Sequence, residues 1–194
     1  MIDRPPQHRP ARPTDALAMA ELVNMAGEGL PLYLWTELAA PGQSPWELGQ
    51  ERARRESGAF SYRNTIVREE AGEVVAALIG YPLADEPAPV DYTDTPPMFV
   101  PLQQLEDLVP GTWYVNVLAT HPQFRGHGYG AELLSIADDI ARDTGMRGLS
   151  IIVADANAGA RRLYARCGYR EQTRRAMVKE QRQHPGTHWV LLVK

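Results

Sequence analysis

A glycine-rich turn between an apolar run and a helical run is the feature that most constrains this chain. Residues 125–130 read Arg-Gly-His-Gly-Tyr-Gly, after the strand-like residues 113–120 and before the helical pattern of residues 131–143. Glycine lets a backbone turn sharply and approach a ligand, and the first turn of a helix presents unpaired N–H groups and a positive dipole end. The turn therefore predicts a backbone site for an anion, and a pyrophosphate group suits it.

Length and composition are those of one globular domain with a hydrophobic core. The chain has 194 residues, of which 44% are hydrophobic and 23% charged. No apolar stretch approaches the roughly 18 residues that span a bilayer, and the first residues lack the apolar core of a secretory signal. These features predict a cytoplasmic protein with neither a membrane nor a nucleic-acid partner.

Cysteine and histidine positions argue against a disulfide and against a metal site. Cys167 is the single cysteine, so no internal disulfide forms, and we interpret it as a structural thiol because no histidine pairing is evident. A Pro-Gly turn, not a helix, separates His184 from His188, and the other histidines show no ligand spacing. The sequence predicts no metal.

Charge is distributed unevenly along the chain. Residues 69–124 contain no lysine or arginine but many carboxylates. The sign then reverses, and the last third carries Arg125, Arg142, Arg147, Arg161, Arg162, Arg166, Arg170, Arg174, Arg175 and Arg182. By itself this pattern describes two solvated faces. Together with the glycine turn it indicates a basic cofactor side and an acidic substrate side.

The pattern of elements predicts a single domain, residues 1–194, with one insertion. In the first half, helices are predicted after a cap at Thr14 or Asp15, at residues 32–38 and at residues 45–56, followed by a hairpin of residues 61–68 and 73–81. In the second half, strands are predicted at 113–118, 148–153, 169–179 and 187–193, and helices at 128–143 and 158–167. The insertion, residues 82–112, is rich in proline and acidic side chains, with a short helix at 102–108. It is an ordered lid, a disordered loop or a subunit contact.

Two further motifs accompany the turn. Pro122 has no N–H and stops a strand, so the backbone groups of residues 118–120 are left to bond something other than a neighbouring strand. Downstream, Asn157 is followed at fixed spacing by Tyr164 and Gly168. Taken alone, Asn157 is typical of a helix cap and Tyr164 of a core aromatic.

Together these motifs resemble the GNAT superfamily of acyl-CoA N-acyltransferases. Arg125-x-x-Gly128-x-Gly130 is similar to the coenzyme A signature of that family, residues 157–169 to its fifth-strand end and following helix, and residues 8–16 to its opening strand and helix start. The resemblance implies an α/β fold with a mixed, mostly antiparallel central sheet of about seven strands flanked by about four helices. A first strand would be followed by two helices, three strands, a helix, a strand, a helix and two strands.

The resemblance also implies acetyl-CoA as the acyl donor and a role for each motif. The N–H of Leu118 would hydrogen-bond the thioester carbonyl, while Ala119 and Thr120 would bind the pantetheine amides. Asn157 would contact the pantetheine arm, and Tyr164 would present its hydroxyl to the departing thiolate. The diphosphate would lie on Arg125, Gly126, His127, Gly128, Tyr129 and Gly130.

The chain departs from many family members at the position of the base. Asn116 stands where they carry a glutamate, and an amide cannot accept a proton, so Asn116 would orient a water that relays it. The carboxylates that could finally receive the proton are Glu28, Glu37, Asp85, Glu86, Asp91 and Asp94, which the sequence does not rank.

The predicted activity is acetyl transfer to a primary amine by direct attack in a ternary complex, because no activated nucleophile is evident. The acidic segment favours a small cationic amine as acceptor, and a protein N-terminus or lysine is the alternative. A non-catalytic acyl-CoA-binding domain is a third interpretation. Residues 126–131 also satisfy the dinucleotide fingerprint of oxidoreductases, but too few residues follow them for a doubly wound sheet. A homodimer through the final strands or the insertion is also expected.

Overall fold

The strands form one mixed sheet. The computed structural model describes residues 7–86, 92–93, 95–180 and 183–194. The strands are β1 (His8–Pro10), β2 (Thr65–Glu70), β3 (Glu73–Pro82), β4 (Trp113–Thr120), β5 (Leu149–Ala154), β6 (Arg170–Ala176) and β7 (His188–Val193). Their order across the seven-stranded sheet is β1-β2-β3-β4-β5-β7-β6. The β4–β5 pair is parallel, and the β1–β2, β2–β3, β5–β7 and β6–β7 pairs are antiparallel. The predicted mixed, mostly antiparallel sheet is confirmed.

Six α-helices lie in the described part of the chain. They are α1 (Ala16–Ala26), α2 (Leu30–Leu38), α3 (Pro45–Ala53), α4 (Val100–Glu106), α5 (Tyr129–Asp143) and α6 (Ala158–Arg166). The family resemblance implied about four flanking helices. The six observed correspond to the six helical segments that the sequence pattern predicts, including two between α1 and β2 and one in the proline-rich insertion.

The described residues divide into two compact units. The first comprises the chain up to residue 80 together with residues 116–134, and the second comprises residues 81–115 and 135–194.

In the first unit, α1 packs on the β2–β3 hairpin. Met19 and Leu22 of α1 form a buried cluster with Val67 and Ala77. Ala71 and Gly72 join the two strands, both at positive φ (49° and 87°), as a two-residue hairpin turn requires. The hairpin was predicted, but β2 begins at Thr65 rather than at residue 61. A 3₁₀ turn precedes it, capped by the Ser61 hydroxyl, which accepts the N–H of Arg63 at 3.1 Å.

Helix α3 begins as the sequence predicts and packs closely on α2. Ser44 and Glu47 form a reciprocal capping box around Pro45 at the first helical position. Gly49 lies directly against Trp35, because a Cβ added at this glycine would come within 2.6 Å of the Trp35 ring. Trp35 is buried, and its indole stacks on Phe60 with a centroid distance of 6.1 Å.

In the second unit, α4 covers part of the sheet. Leu105 and Val109 pack on Leu191 of β7. The helix begins at Val100, before the predicted 102–108, because a 3₁₀ turn at Pro97–Phe99 leads into it. Insertion residues 87–91 and 94 lie outside the described residues, and so do Arg182 and two of the candidate carboxylates, Asp91 and Asp94.

Other boundaries differ from the predicted ones by a few residues. The largest difference that bears on function is in β4, which continues to Thr120 instead of ending at Leu118. Its alternation of buried and half-buried side chains continues through Val117 and Ala119, so the pairing extends until Pro122 is near. Helix α5 begins at Tyr129 rather than at residue 128, and β6 ends at Ala176 rather than at residue 179.

Candidate active site

The turn before α5 has the open, glycine-dependent geometry of a backbone cradle. A 3₁₀ turn at Pro122–Phe124 brings the chain off β4, and Arg125 is extended. Gly126 and Gly128 follow at φ 84° and 89°, a conformation that costs other residues roughly 1–2 kcal/mol. A Cβ added at either glycine would meet no atom within 4 Å. Backbone conformation therefore requires these glycines, and the space in front of them is open.

Backbone N–H groups line this space. The N–H groups of Ala131 and Glu132 both donate to the Gly128 carbonyl, at 2.9 and 3.1 Å. Within the described chain, the N–H groups of residues 126–130 have no backbone acceptor. Residues 125–128 are exposed, and the 15-residue helix α5 adds its positive dipole end. An anion placed here would meet several unused donors at once.

Side chains within the turn hold its shape. The Arg125 Nε–H donates to the Thr120 carbonyl at 3.2 Å, which links the turn to the end of β4. His127 Nδ1 lies 3.0 Å from the Phe124 carbonyl and 3.1 Å from the Arg125 carbonyl, so Nδ1 carries the hydrogen. The His127 ring also stacks on Tyr129, with centroids 5.6 Å apart.

A buried arginine behind the turn fixes the start of α5. The Arg68 side chain is 6% exposed, and its two Nη groups contact Glu132 at 2.5 Å and Glu70 at 2.6 Å. Its guanidinium lies 4.1 Å from the centre of the Tyr129 ring, and the Tyr129 hydroxyl donates to Glu70 at 2.7 Å. Sequence reasoning missed this cluster. Its signal was a charged side chain inside the apolar strand Thr65–Glu70.

The predicted residues of β4 lie next to the turn in the first unit. Asn116, Leu118 and Thr120 are half-buried and share one face of the strand, because successive strand residues alternate. Val117 and Ala119 point the other way, into clusters with residues of α1. The His121 N–H donates to the Val75 carbonyl at 2.9 Å, so pairing with β3 continues just past Thr120.

Asn157 and Tyr164 belong to the second unit. Asn157 caps α6, and its Oδ1 accepts the N–H of Ala160 at 3.1 Å. Tyr164, on the same helix, is 5% exposed, with its ring 5.8 Å from that of Tyr169. Gly168 closes the helix at φ 93°, and the Tyr169 N–H returns to the Tyr164 carbonyl at 3.0 Å. The sequence motif thus includes a helix cap and a helix stop around a buried tyrosine.

A half-buried carboxyl with a raised pKa, that of Glu106, was not predicted. Burial raises the pKa of Glu106 to about 7, with a further rise from Asp107, while a hydrogen bond with the Tyr114 hydroxyl lowers it. The Tyr114 ring packs edge-on against Tyr81, with centroids 5.6 Å apart. Burial, together with Glu106, Tyr81 and Tyr164, holds the pKa of Tyr114 well above its ordinary value.

A sequence signal for this carboxyl did exist. Counted from Leu102 as position i, Leu105, Glu106 and Val109 take positions i+3, i+4 and i+7. Those positions share one helical face, which is otherwise apolar. The pattern places a glutamate on the face that turns toward the protein interior.

Comparison with known proteins identifies the family. The sequence profile of the acetyltransferase (GNAT) family matches residues 32–169. The chain belongs to this family. The expected acyltransferase enzyme is therefore confirmed, and no curated protein matches the chain in sequence.

Solved structures share the GNAT fold. One, an acetyltransferase, is 24% identical with a TM-score of 0.66, and the match covers 96% of this chain and 97% of that chain. An N-acetyltransferase from Staphylococcus aureus Mu50 is 17% identical with a TM-score of 0.65, over 97% and 100% of the two chains. A nourseothricin acetyltransferase is 18% identical with a TM-score of 0.51, over 66% and 62%.

The candidate carboxylates of this GNAT protein have different surroundings. Glu37 and Glu86 are exposed, and Glu28 is half-buried at positive φ (51°). Asp85 is exposed and pairs with Arg147 at 3.1 Å. Among the described helices, none is both long and apolar enough to cross a membrane.

Proposed function

We propose that this protein transfers an acetyl group from acetyl-CoA to a primary amine by direct attack in a ternary complex. The observation that carries the proposal is the open turn at residues 126–130, whose unused N–H groups and helix dipole suit a diphosphate. The family supplies the reaction class, since its members are acetyltransferases.

The donor is held mainly by backbone groups. In the proposed complex, residues 125–130 bind the diphosphate, with the Arg125 guanidinium at its edge. The Leu118 N–H polarises the thioester carbonyl, Ala119 and Thr120 bind the pantetheine amides, and Asn157 contacts the same arm. His127 and Tyr129 contribute their N–H groups, because their side chains already contact the Phe124 carbonyl and Glu70.

Acyl transfer needs a neutral amine and a stabilised leaving group. The amine nitrogen attacks the thioester carbon, the C–N bond forms and the C–S bond breaks. The departing thiolate takes a proton from the Tyr164 hydroxyl. In water a thiol is more acidic than a phenol, so this transfer requires a poorly solvated thiolate, as expected beside the buried Tyr164 side chain. Asn116, half-buried on β4, orients a water near the amine.

The proposed acceptor is a small cationic amine. Residues 69–124 include no lysine or arginine, whereas carboxylates are frequent there. Glu69, Glu70 and Asp85 pair with arginines from other parts of the chain, and the remaining carboxylates would attract a cation. A polyamine, an aminoglycoside and an amino-acid derivative all have this chemistry. A protein N-terminus or a lysine side chain is the other proposed acceptor class.

Two measurements test the proposal. Calorimetry with coenzyme A and with pantetheine, which lacks the diphosphate, should give much tighter binding of coenzyme A. A free-thiol assay with acetyl-CoA and an amine panel should then give amine-dependent thiol release, fastest with polyamines or aminoglycosides. The panel includes peptides with a free N-terminus or lysine, to separate the two acceptor classes. Equal affinity for both carriers would refute the diphosphate site, and binding without any thiol release would indicate a non-catalytic acyl-CoA-binding domain.

A further inference from the structure

The His127 ring is open to solvent beside the glycine turn. Its Nδ1 edge already contacts the Phe124 and Arg125 carbonyls, at 3.0 and 3.1 Å. His127 is nevertheless exposed, and its neighbours Gly126 and Gly128 have no side chains that could cover it. A Cβ added at either glycine would meet no atom within 4 Å, so the space around the histidine is open. An aromatic ring in such a position is accessible to a ligand.

This ring is the exposed end of a fixed stack. His127 stacks on Tyr129, with ring centres 5.6 Å apart and planes inclined by 29°. Tyr129 is held in turn, because the Arg68 guanidinium lies 4.1 Å from its ring centre and its hydroxyl donates to Glu70 at 2.7 Å. The Arg68 side chain is 6% exposed, so the other end of the stack is anchored in the interior. An exposed ring that is already held in one orientation loses little entropy when a ligand binds.

The stack and the glycine turn belong to the same unit of the fold. The first unit contains His127, Tyr129, Arg68 and Glu70 as well as residues 125–130. The N–H of His127 is one of the unused donors of the turn, so a single residue offers an N–H to a diphosphate and a ring beside it. In coenzyme A the diphosphate is esterified to adenosine, and only one ribose separates the phosphates from the base. The ring next to the phosphates is thus in a suitable place to stack on an adenine.

We infer that the exposed face of His127 binds the adenine of the acyl carrier by stacking, an inference that rests on the proposed diphosphate site. The adenine extends the stack of His127 and Tyr129 by one ring. Every base has a π face, so a contact of this kind recognises the presence of a base and not the pattern of its edge. His127 therefore favours a carrier that bears a nucleotide over one that ends at a phosphate.

Two substitutions separate the ring of His127 from its hydrogen bonds. Asparagine keeps an N–H donor near the position of Nδ1 but has no ring, whereas phenylalanine keeps a ring and has no donor. In calorimetry, His127→Asn should weaken coenzyme A binding about tenfold, as loss of a base–aromatic stack does, and His127→Phe should stay within about twofold of the wild type. A histidine that only shaped the turn would give the opposite order. Because His127 is exposed, neither change should alter the unfolding midpoint.

The ligand provides an independent comparison. Phosphopantetheine carries the pantetheine arm and a phosphate but no adenosine, so His127→Asn and the wild type should bind it equally. The His127 ring protons should shift upfield in NMR spectra when coenzyme A is added, and should not do so with phosphopantetheine. The control variant is Gln123→Ala, an exposed residue of the preceding 3₁₀ turn, which should bind coenzyme A as the wild type does.

The outcomes separate this inference from the proposed diphosphate site. Wild-type coenzyme A affinity in His127→Asn, together with much weaker binding of pantetheine, would overturn the stacking and leave the diphosphate site intact. Equal losses in His127→Asn and His127→Phe would also overturn it, and so would an equal loss for coenzyme A and phosphopantetheine, because the histidine would then act through the turn. If the wild type binds coenzyme A no more tightly than pantetheine, both the stacking and the diphosphate site are wrong.

Discussion

The glycine turn and the C-terminal end of α4 differ in how much of their chemistry the sequence reveals. The turn at residues 125–130 uses backbone N–H groups, is exposed, and needs glycines that the sequence displays directly. At the end of α4, by contrast, the acidity of one side chain is set by its surroundings, because desolvation raises the pKa of Glu106. A backbone anion site is thus recognisable from residue type. The acidity of a single carboxyl becomes visible only once the packing is known.

The largest expected effect concerns Tyr164, the buried tyrosine of α6. Tyr164→Phe should lower kcat about 100-fold and leave coenzyme A affinity nearly unchanged, because it removes the proton donor to the thiolate. Tyr169→Phe is the matched control, since that tyrosine is also buried, its hydroxyl has no partner among the described residues, and its ring contacts Tyr164. Loss of donor affinity in Tyr164→Phe without loss of kcat would contradict the proposed role.

A second large effect is expected from Arg68, the buried side chain that supports the glycine turn. Arg68→Ala should destabilise the protein by about 2–3 kcal/mol in chemical denaturation and weaken coenzyme A binding, because a buried guanidinium orients the first turn of α5. The control is Arg63→Ala, whose pair with Glu56 is exposed on both sides and should therefore change stability far less than the Arg68 substitution. Equal stability of the two variants would show that the turn needs no support from behind.

The pH dependence of stability tests the raised pKa of Glu106. The pKa of Glu106 is raised in the folded state to about 7, so the folded state holds a proton that the unfolded state has lost. Its contribution to stability is therefore present at low pH and lost as pH rises through about 7. Glu106→Gln should exceed the wild type in free energy of unfolding by about 1–2 kcal/mol more at pH ~8 than at pH ~5. A constant difference would mean that the carboxyl is not buried in solution.

A smaller effect tests the open space of the turn. Gly128→Ala should weaken coenzyme A binding about tenfold, because the Cβ enters the ligand space and the positive φ is strained. Gly42→Ala is a close control: that glycine also has positive φ (84°) with no atom within 4 Å of an added Cβ, but it lies between α2 and α3. Calorimetry on both variants separates ligand contact from backbone strain, which they share.

The smallest expected effect concerns the acidic segment. Raising ionic strength from about 0.05 to 0.3 M should increase the KM of a cationic amine a few-fold through screening. The KM of a neutral amine of similar size should stay constant. A cationic acceptor whose KM ignores salt would remove the reason for assigning an electrostatic role to residues 69–124.

Much of the fold could be predicted because its signals are local. The glycine turn, the capping box at Ser44 and Glu47 and the stop at Gly168 all depend on residues close in sequence. The position of Pro122 predicted the end of β4 only to within two residues, because the alternating burial of Val117 and Ala119 decides where pairing stops. The short helix of the insertion was predicted at residues 102–108, but α4 begins earlier, at Val100, because a 3₁₀ turn leads into it.

The site was less predictable than the fold. Arg68 and Glu132 are 64 residues apart, and nothing near either one in sequence announces their contact. The acidity of Glu106 likewise arises from burial and from a tyrosine on another element. The six candidate proton acceptors could not be ranked from the sequence, because a sequence gives the number of charges but not their solvation.

The bond from Arg125 to the Thr120 carbonyl bears on the proposed donor affinity. It closes a short ring of chain around Pro122 and so links the strand end to the glycine turn. If the diphosphate binds here as proposed, the guanidinium is already held by its Nε, so less side-chain entropy would be lost on binding. A lysine at this position, without a comparable bond, would lose more side-chain entropy on binding.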